Sequence, residues 1–143
     1  IKKMKTLQSQ STSCASSISQ AAAQAALSNV CHELPEMNKE YKKRHDYVVS
    51  KLNEIEGVSC KIPNGAFYAF PDFSHYLNRK VNVKLLKDSF SISEYILDSV
   101  NVVTVPGDGF GAPGYIRFSY ATSSELINKG INRVQKALSM IEE

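Results

Sequence analysis

Two stretches of this chain carry apolar residues at helical spacing, and the ground between them is broken into pieces suited only to brief strands, short helices and turns. Met37, Tyr41, His45, Val48, Leu52 and Ile55 recur at intervals of three and four, which predicts one helix with a single apolar face. Leu126, Ile127, Gly130, Ile131, Val134, Leu138 and Ile141 do the same within a final helix over 123–142. Pro35 opens the first of these helices in its favoured first turn, and Gly57 closes it as a C-terminal cap. Between them, residues 58–62 and 66–70 read as strands joined by the turn Pro63-Asn64-Gly65. Residues 72–80 read as loop or a short helical turn. Helices are expected over 83–88 and 91–100, the latter with a capping box Ser91-x-x-Glu94. Strands follow over 101–105, closed by Pro106-Gly107, and over 115–121. Helices around a small sheet predict an α/β class with an α+β-like domain: a short, mostly antiparallel sheet packed by helices.

The first thirty residues have a different character. Residues 1–13 are polar and rich in Ser and Thr, and are expected as loop. Ser16 or Ser17 then caps an Ala-rich helix over 18–30, which is almost uncharged and so is expected to be buried on most sides. The run Ser9-Gln10-Ser11-Thr12-Ser13 before it suits an anion, but ordinary capping explains the same residues.

Composition narrows the classes. At 143 residues, with 43% hydrophobic and 22% charged residues, the chain has ordinary globular usage and length for one domain, or one plus a fragment of another. No apolar run is long enough for a transmembrane helix, and Ile1-Lys2-Lys3-Met4-Lys5 is followed by polar residues rather than the core of a signal peptide. A net charge of +3 with bases interleaved among acids does not indicate nucleic-acid binding. Three widely spaced cysteines, Cys14, Cys31 and Cys60, suit free thiols in a reducing compartment, so cytoplasm is expected. The chain starts with Ile, as a piece of a longer protein would.

The most unusual segment is Pro106-Gly107-Asp108-Gly109-Phe110-Gly111-Ala112-Pro113-Gly114. Gly109-x-Gly111-x-x-Gly114 formally matches a dinucleotide fingerprint, but that motif must open a helix, and this one contains a proline and runs into a strand. Glycines that permit positive φ in a tight turn explain it better. The strand after it contains Arg117, which alternation places with Tyr115 and Ser119, opposite Ile116, Phe118 and Tyr120. A guanidinium there suits a bidentate carboxylate, or else a structural salt bridge. His32, His45 and His75 share no metal-ligand spacing with each other or with the cysteines, so no metal is expected. No nucleophile–base set is present either.

Three segments, in order, carry a resemblance. Lys5-Thr6-Leu7-Gln8-Ser9-Gln10-Ser11-Thr12-Ser13, then Asn64-Gly65-Ala66-Phe67-Tyr68-Ala69-Phe70-Pro71-Asp72, then Pro106-Gly107 through Phe110-Gly111-Ala112-Pro113-Gly114-Tyr115-Ile116-Arg117-Phe118-Ser119-Tyr120-Ala121 resemble the C-terminal part of a fold-type I, pyridoxal-phosphate-dependent aminotransferase. The likeness is to the bacterial aspartate aminotransferase group and covers the whole chain.

The resemblance implies that residues 1–34 end the large, cofactor-carrying domain and that 35–143 form the small domain. It implies that Arg117 clamps the substrate α-carboxylate, so that the cofactor ring can act as electron sink. It places Phe67 near the pocket, and the loop around Ser11–Ser13 near an active site, in a homodimer acting on an amino acid and a 2-oxo acid. The family's Schiff-base lysine lies in a Ser-Lys motif followed by Gly-Trp-Arg; this chain has no Trp, so that lysine is expected upstream of Ile1 and the chain alone is expected to be inactive. Two other readings stand beside this one. The chain could be a non-catalytic remnant that binds a partner half, or a small carboxylate-binding module.

Overall fold

The computed structural model describes residues 1–28 and 33–141, and divides into two compact units, Ile1–Met37 and Asn38–Glu143. Cys31, His32 and the expected helix ends at Val30 and Glu142 lie outside the described residues.

In the first unit the stretch expected as loop is helical instead: α1 spans Lys2–Ser11. Its Lys, Met, Leu and Gln residues are good helix formers. The hydroxyls of Thr6, Ser9 and Ser11 donate back to carbonyls of Lys2, Thr6 and Leu7, so they join the helix rather than compete with it. Ser13, at φ 61°, breaks the chain direction before α2, Ser17–Ser28. The expected helix is there, but the expected burial is not. None of its residues is buried; Ile18 and Leu27 are 81% and 89% exposed. The reason is local: α1 is also exposed throughout and offers no covered apolar face.

Helix α3, Glu33–Asn53, begins two residues before Pro35, which occupies its first turn. It ends before Gly57, which sits in the following turn at φ 71°, and not as the cap. The Asn53 side chain ties the helix end instead, donating to Val49 O and Cys60 O and accepting from Cys60 N. Val48, Leu52 and Ile55 of the expected face are buried.

The sheet is smaller than the sequence suggested. Strands β1 (Tyr68–Ala69), β4 (Val105–Pro106) and β5 (Ile116–Ser119) form an antiparallel sheet in the order β1-β5-β4. Residues 58–62 contribute only a bridge from Ser59 to Asp72, so Pro63-Asn64-Gly65 belongs to a wide loop rather than a tight hairpin.

The helix expected over 83–88 is replaced by a hairpin, β2 (Lys80–Val81) and β3 (Lys84–Leu85). Asn82, at φ 53°, takes the left-handed position that an asparagine tolerates in a turn. Helix α4, Ser89–Val100, starts two residues before Ser91. Its cap is Asp88, whose carboxylate accepts from Ser91 N while the Ser91 hydroxyl accepts from Asp88 N. Glu94, expected in that box, pairs with Lys84 at 2.6 Å.

Helix α5, Ser124–Leu138, is capped by Ser123 and buries Ile127, Ile131, Val134, Ala137 and Leu138, while Leu126 is exposed. The core joins Leu52 of α3, Ile92 and Ile96 of α4, Ile116 of β5, Val134 of α5, and the loop residues Phe73, Leu86 and Tyr120. Tyr95 OH donates to Ala137 O at 2.8 Å and pins α4 to α5. Helices on a short antiparallel sheet are thus the architecture of this unit, in the expected α/β class. Among the described residues no helix is long and apolar enough to cross a membrane.

A candidate carboxylate site on the central strand

β5 is the middle strand of the sheet, and its alternation is sharp. Ile116 is fully buried and Phe118 nearly so, whereas Arg117 is half-buried and Ser119 exposed. Arg117 is fixed from both sides, since it pairs across to Val105 on β4 while Ser119, on the same face, pairs with Tyr68 on β1. A strand in the centre of a ladder is a rigid mount for a charged side chain.

Two rings flank the guanidinium. The carbon at its centre lies 4.5 Å from the centroid of the Tyr68 ring and 4.9 Å from that of Phe110. Both contacts are cation–π in character. Among the described residues Arg117 has neither an ion-pair partner nor a hydrogen-bond acceptor. The in-plane N–H donors are therefore held in place but unspent, which is the state of a fork awaiting an anion.

The aromatic walls continue outward. Phe67 lies tilted against Tyr68 at 4.3 Å, and Phe70 links Phe110 and Tyr115 at 6.1 and 5.3 Å. Phe67, expected near the pocket, is thus one ring removed from Arg117.

Phe110 reaches the site because the glycine-rich loop is braced. Residues Gly107–Phe110 make a single tight helical turn, followed by Gly111 at φ 70° and Gly114 at φ 85°. Gly107 N donates to Tyr115 O at 2.8 Å and Ala112 N to Gly107 O at 3.0 Å, so the loop folds back on itself. A side chain at Gly107 would strike the carbonyls of Ala112 and Tyr115, and one at Gly114 would strike the Ser74 hydroxyl. Gly114 N donates to the buried hydroxyl of Ser89 at 2.7 Å, tying the loop to the start of α4. The loop leaves a strand and enters a strand, as the sequence required, and does not open a helix.

The other singled-out residues lie elsewhere. His45 Nε2 donates to Pro63 O at 3.0 Å, a structural role. Among the described residues no group of His, Cys, Asp or Glu could hold a metal. Cys14 and Cys60 are free thiols, and burial pushes the Cys60 thiol up from its ordinary value. Ser9 and Ser11 spend their hydroxyls inside α1.

The family of proteins described as aminotransferase class I and II has a sequence model that matches residues 1–134. The chain belongs to the class I and II aminotransferases. An aspartate aminotransferase of Streptomyces avermitilis is 41% identical over 139 residues, covering 97% of this chain and 34% of its relative. An aspartate/prephenate aminotransferase of Nitrosomonas europaea is 37% identical over 138 residues, covering 95% of this chain and 35% of that one. Among solved structures, the aspartate aminotransferase of Rhizobium meliloti matches with a TM-score of 0.91 and 37% identity, over 99% of this chain and 36% of its own. The alanine aminotransferase of Pyrococcus furiosus matches with a TM-score of 0.76 and 32% identity, over 88% of this chain and 30% of its own. This aminotransferase chain therefore spans about a third of the length of the curated relatives it matches.

The family uses pyridoxal phosphate, but the residues flanking Arg117 do not make a seat for it. Lys42, Lys43, Lys51 and Lys84 are paired with acids, and the groups around Arg117 are rings rather than an amine or a phosphate cradle. What the arrangement offers chemically is an unpaired guanidinium that suits a planar anion.

Proposed function

We propose that this chain is the C-terminal portion of an aspartate-type aminotransferase and that Arg117 receives the substrate α-carboxylate. The observation that carries the reading is the Arg117 guanidinium flanked by Tyr68 and Phe110 with no acidic partner among the described residues. A carboxylate approaching in the plane of the fork gains two charge-assisted hydrogen bonds without moving the arginine. Amines without a carboxylate gain nothing there.

In this reading residues 1–34 close the large domain, and 35–143 are the small domain. The exposed apolar residues Met4, Leu7, Ile18 and Leu27 fit that assignment, because they match the inward surface of a larger body. Pyridoxal phosphate and its lysine belong to the large domain. The complete protein moves an amino group between L-aspartate, or a related amino acid, and 2-oxoglutarate, as a homodimer. Relatives bearing aspartate, aspartate/prephenate and alanine names set the range of amino acids to try.

The test is Arg117→Lys in the protein carrying its large domain. Replacing the fork by a point charge is expected to lower kcat/KM for L-aspartate by about a hundredfold, the equivalent of one lost charge-assisted bond. An unchanged kcat/KM overturns the assignment. A second reading, a non-catalytic half that binds a partner through the exposed faces of α1 and α2, would gain if no transamination accompanied the assembled protein.

A further inference from the structure

Behind the Arg117 site a tyrosine grips the loop that delivers one of its walls. Tyr120 is almost completely buried, on the opposite face of the sheet from Arg117. Its N–H donates to Phe67 O at 2.9 Å, and its hydroxyl donates to Ala66 O at 2.8 Å. Ala66 stands at φ 61°, a left-handed conformation that costs an alanine free energy and that glycine would adopt freely. Nothing in the Ala66 side chain explains the conformation, since that residue is exposed. The strain is held by what touches its carbonyl, and the residues it redirects are Phe67 and Tyr68.

The support around the hydroxyl is built. The Tyr120 ring packs edge-on against His45 at 6.2 Å and tilted against Tyr41 at 6.5 Å, while Tyr41 also meets Phe67 at 6.5 Å. His45 holds the same loop one step earlier, through its bond to Pro63 O. Burial raises the Tyr120 phenol above its ordinary value, so it stays a donor at neutral pH. The tyrosine follows β5 directly and so links the strand that carries Arg117 to the loop that leads into Tyr68 and β1.

We propose that Tyr120 is a positioning residue for carboxylate recognition: its hydroxyl holds Ala66 in the left-handed turn that keeps the Tyr68 ring against the Arg117 guanidinium. The consequence for substrate rests on the reading of Arg117 given above. The placement of the ring does not, and the two are measured separately.

The experiment uses the whole chain and nuclear magnetic resonance of the Arg117 side chain, identified by its loss in Arg117→Lys. The flanking rings shift the side-chain protons of Arg117 away from their free values, so this shift reports the stack without any ligand. Tyr120→Phe is expected to return the shift part-way to the free value. It is also expected to weaken succinate binding about fivefold, the equilibrium equivalent of one net hydrogen bond. Ala66→Gly placed on Tyr120→Phe is expected to recover both to within about twofold, because glycine needs no clamp to stay left-handed. Ala66→Val, at an exposed site, is expected to reproduce the loss by disfavouring the turn, and it serves if Tyr120→Phe does not fold.

A ring shift unmoved by both Tyr120→Phe and Ala66→Val overturns the proposal, as does a loss that glycine fails to recover. If the ring shift behaves as expected but wild type and Arg117→Lys bind succinate equally, the positioning of the ring stands. In that case the carboxylate role of Arg117 falls.

Discussion

Helices α2 and α5 invert what their compositions suggest. α2 carries no charged residue, yet exposes every one of its positions; α5 carries Glu125, Lys129, Arg133 and Lys136, yet buries five side chains. The difference is arrangement and partnership. α5 gathers its apolar residues on one stripe opposite α4, whereas the alanines of α2 surround the helix and meet no covered face within the Ile1–Met37 unit. Burial belongs to a face with something to lie against, and apolar composition alone does not create one.

The largest effects should fall where that partnership exists. Leu52→Ala, in the core of the second unit, is expected to cost about 3 kcal/mol in denaturant unfolding. Leu27→Ala, on exposed α2, is expected to change the same transition by less than about 0.5 kcal/mol. Equal losses at the two sites would mean that α2 is packed after all. The glycine loop gives a similar contrast at smaller scale. Gly114→Ala meets the Ser74 hydroxyl at a positive φ and should cost about 2 kcal/mol, read as a lowered Tm. Gly109→Ala meets nothing and should be near neutral.

Asp88→Ala removes the cap of α4 and should cost about 1 kcal/mol at neutral pH. The Ser91 amide and hydroxyl hold this carboxyl below its ordinary value. Its contribution is therefore complete above about pH 3.9 and fades as pH falls through the folded value, so the variant and the wild type should converge in acid. A gap that persists there would assign the effect to something other than the charge.

The smallest expected effect lies on the alkaline side. Burial raises the phenols of Tyr76, Tyr95 and Tyr120 and the thiol of Cys60. Stability from these groups is intact below their ordinary values and should decline as pH climbs past about 9–10. A flat alkaline limb would contradict the burial of those groups.

Much of this was legible in advance, for identifiable reasons. The helical spacing in α3 and α5 survives because long periodic faces commit themselves locally, and the alternation around Arg117 placed it on the right face of β5. The β2–β3 hairpin is not legible because Lys80-Val81-Asn82-Val83-Lys84-Leu85 gives each strand only two residues and marks the turn with a single Asn. α1 is not legible because Ser and Thr favour loops by composition, whereas here their hydroxyls serve the helix. Tyr68 and Phe110 went unnoticed beside Arg117, since each arrives from a different segment. Cross-strand register brings Tyr68 to that edge of β5, and the folded-back glycine loop brings Phe110. The left-handed Ala66 leaves no trace in the sequence, because its cause is the hydroxyl of Tyr120, far along the chain.

The most direct test of the central claim is a titration of the whole chain with succinate, followed at the side-chain nitrogen resonance of Arg117, with the diamine cadaverine as a control of the same reach. If Arg117 is a held and unspent carboxylate fork, succinate shifts that resonance in a saturable way and cadaverine leaves it in place. A resonance that responds to neither, or that follows ionic strength alone, would contradict the account.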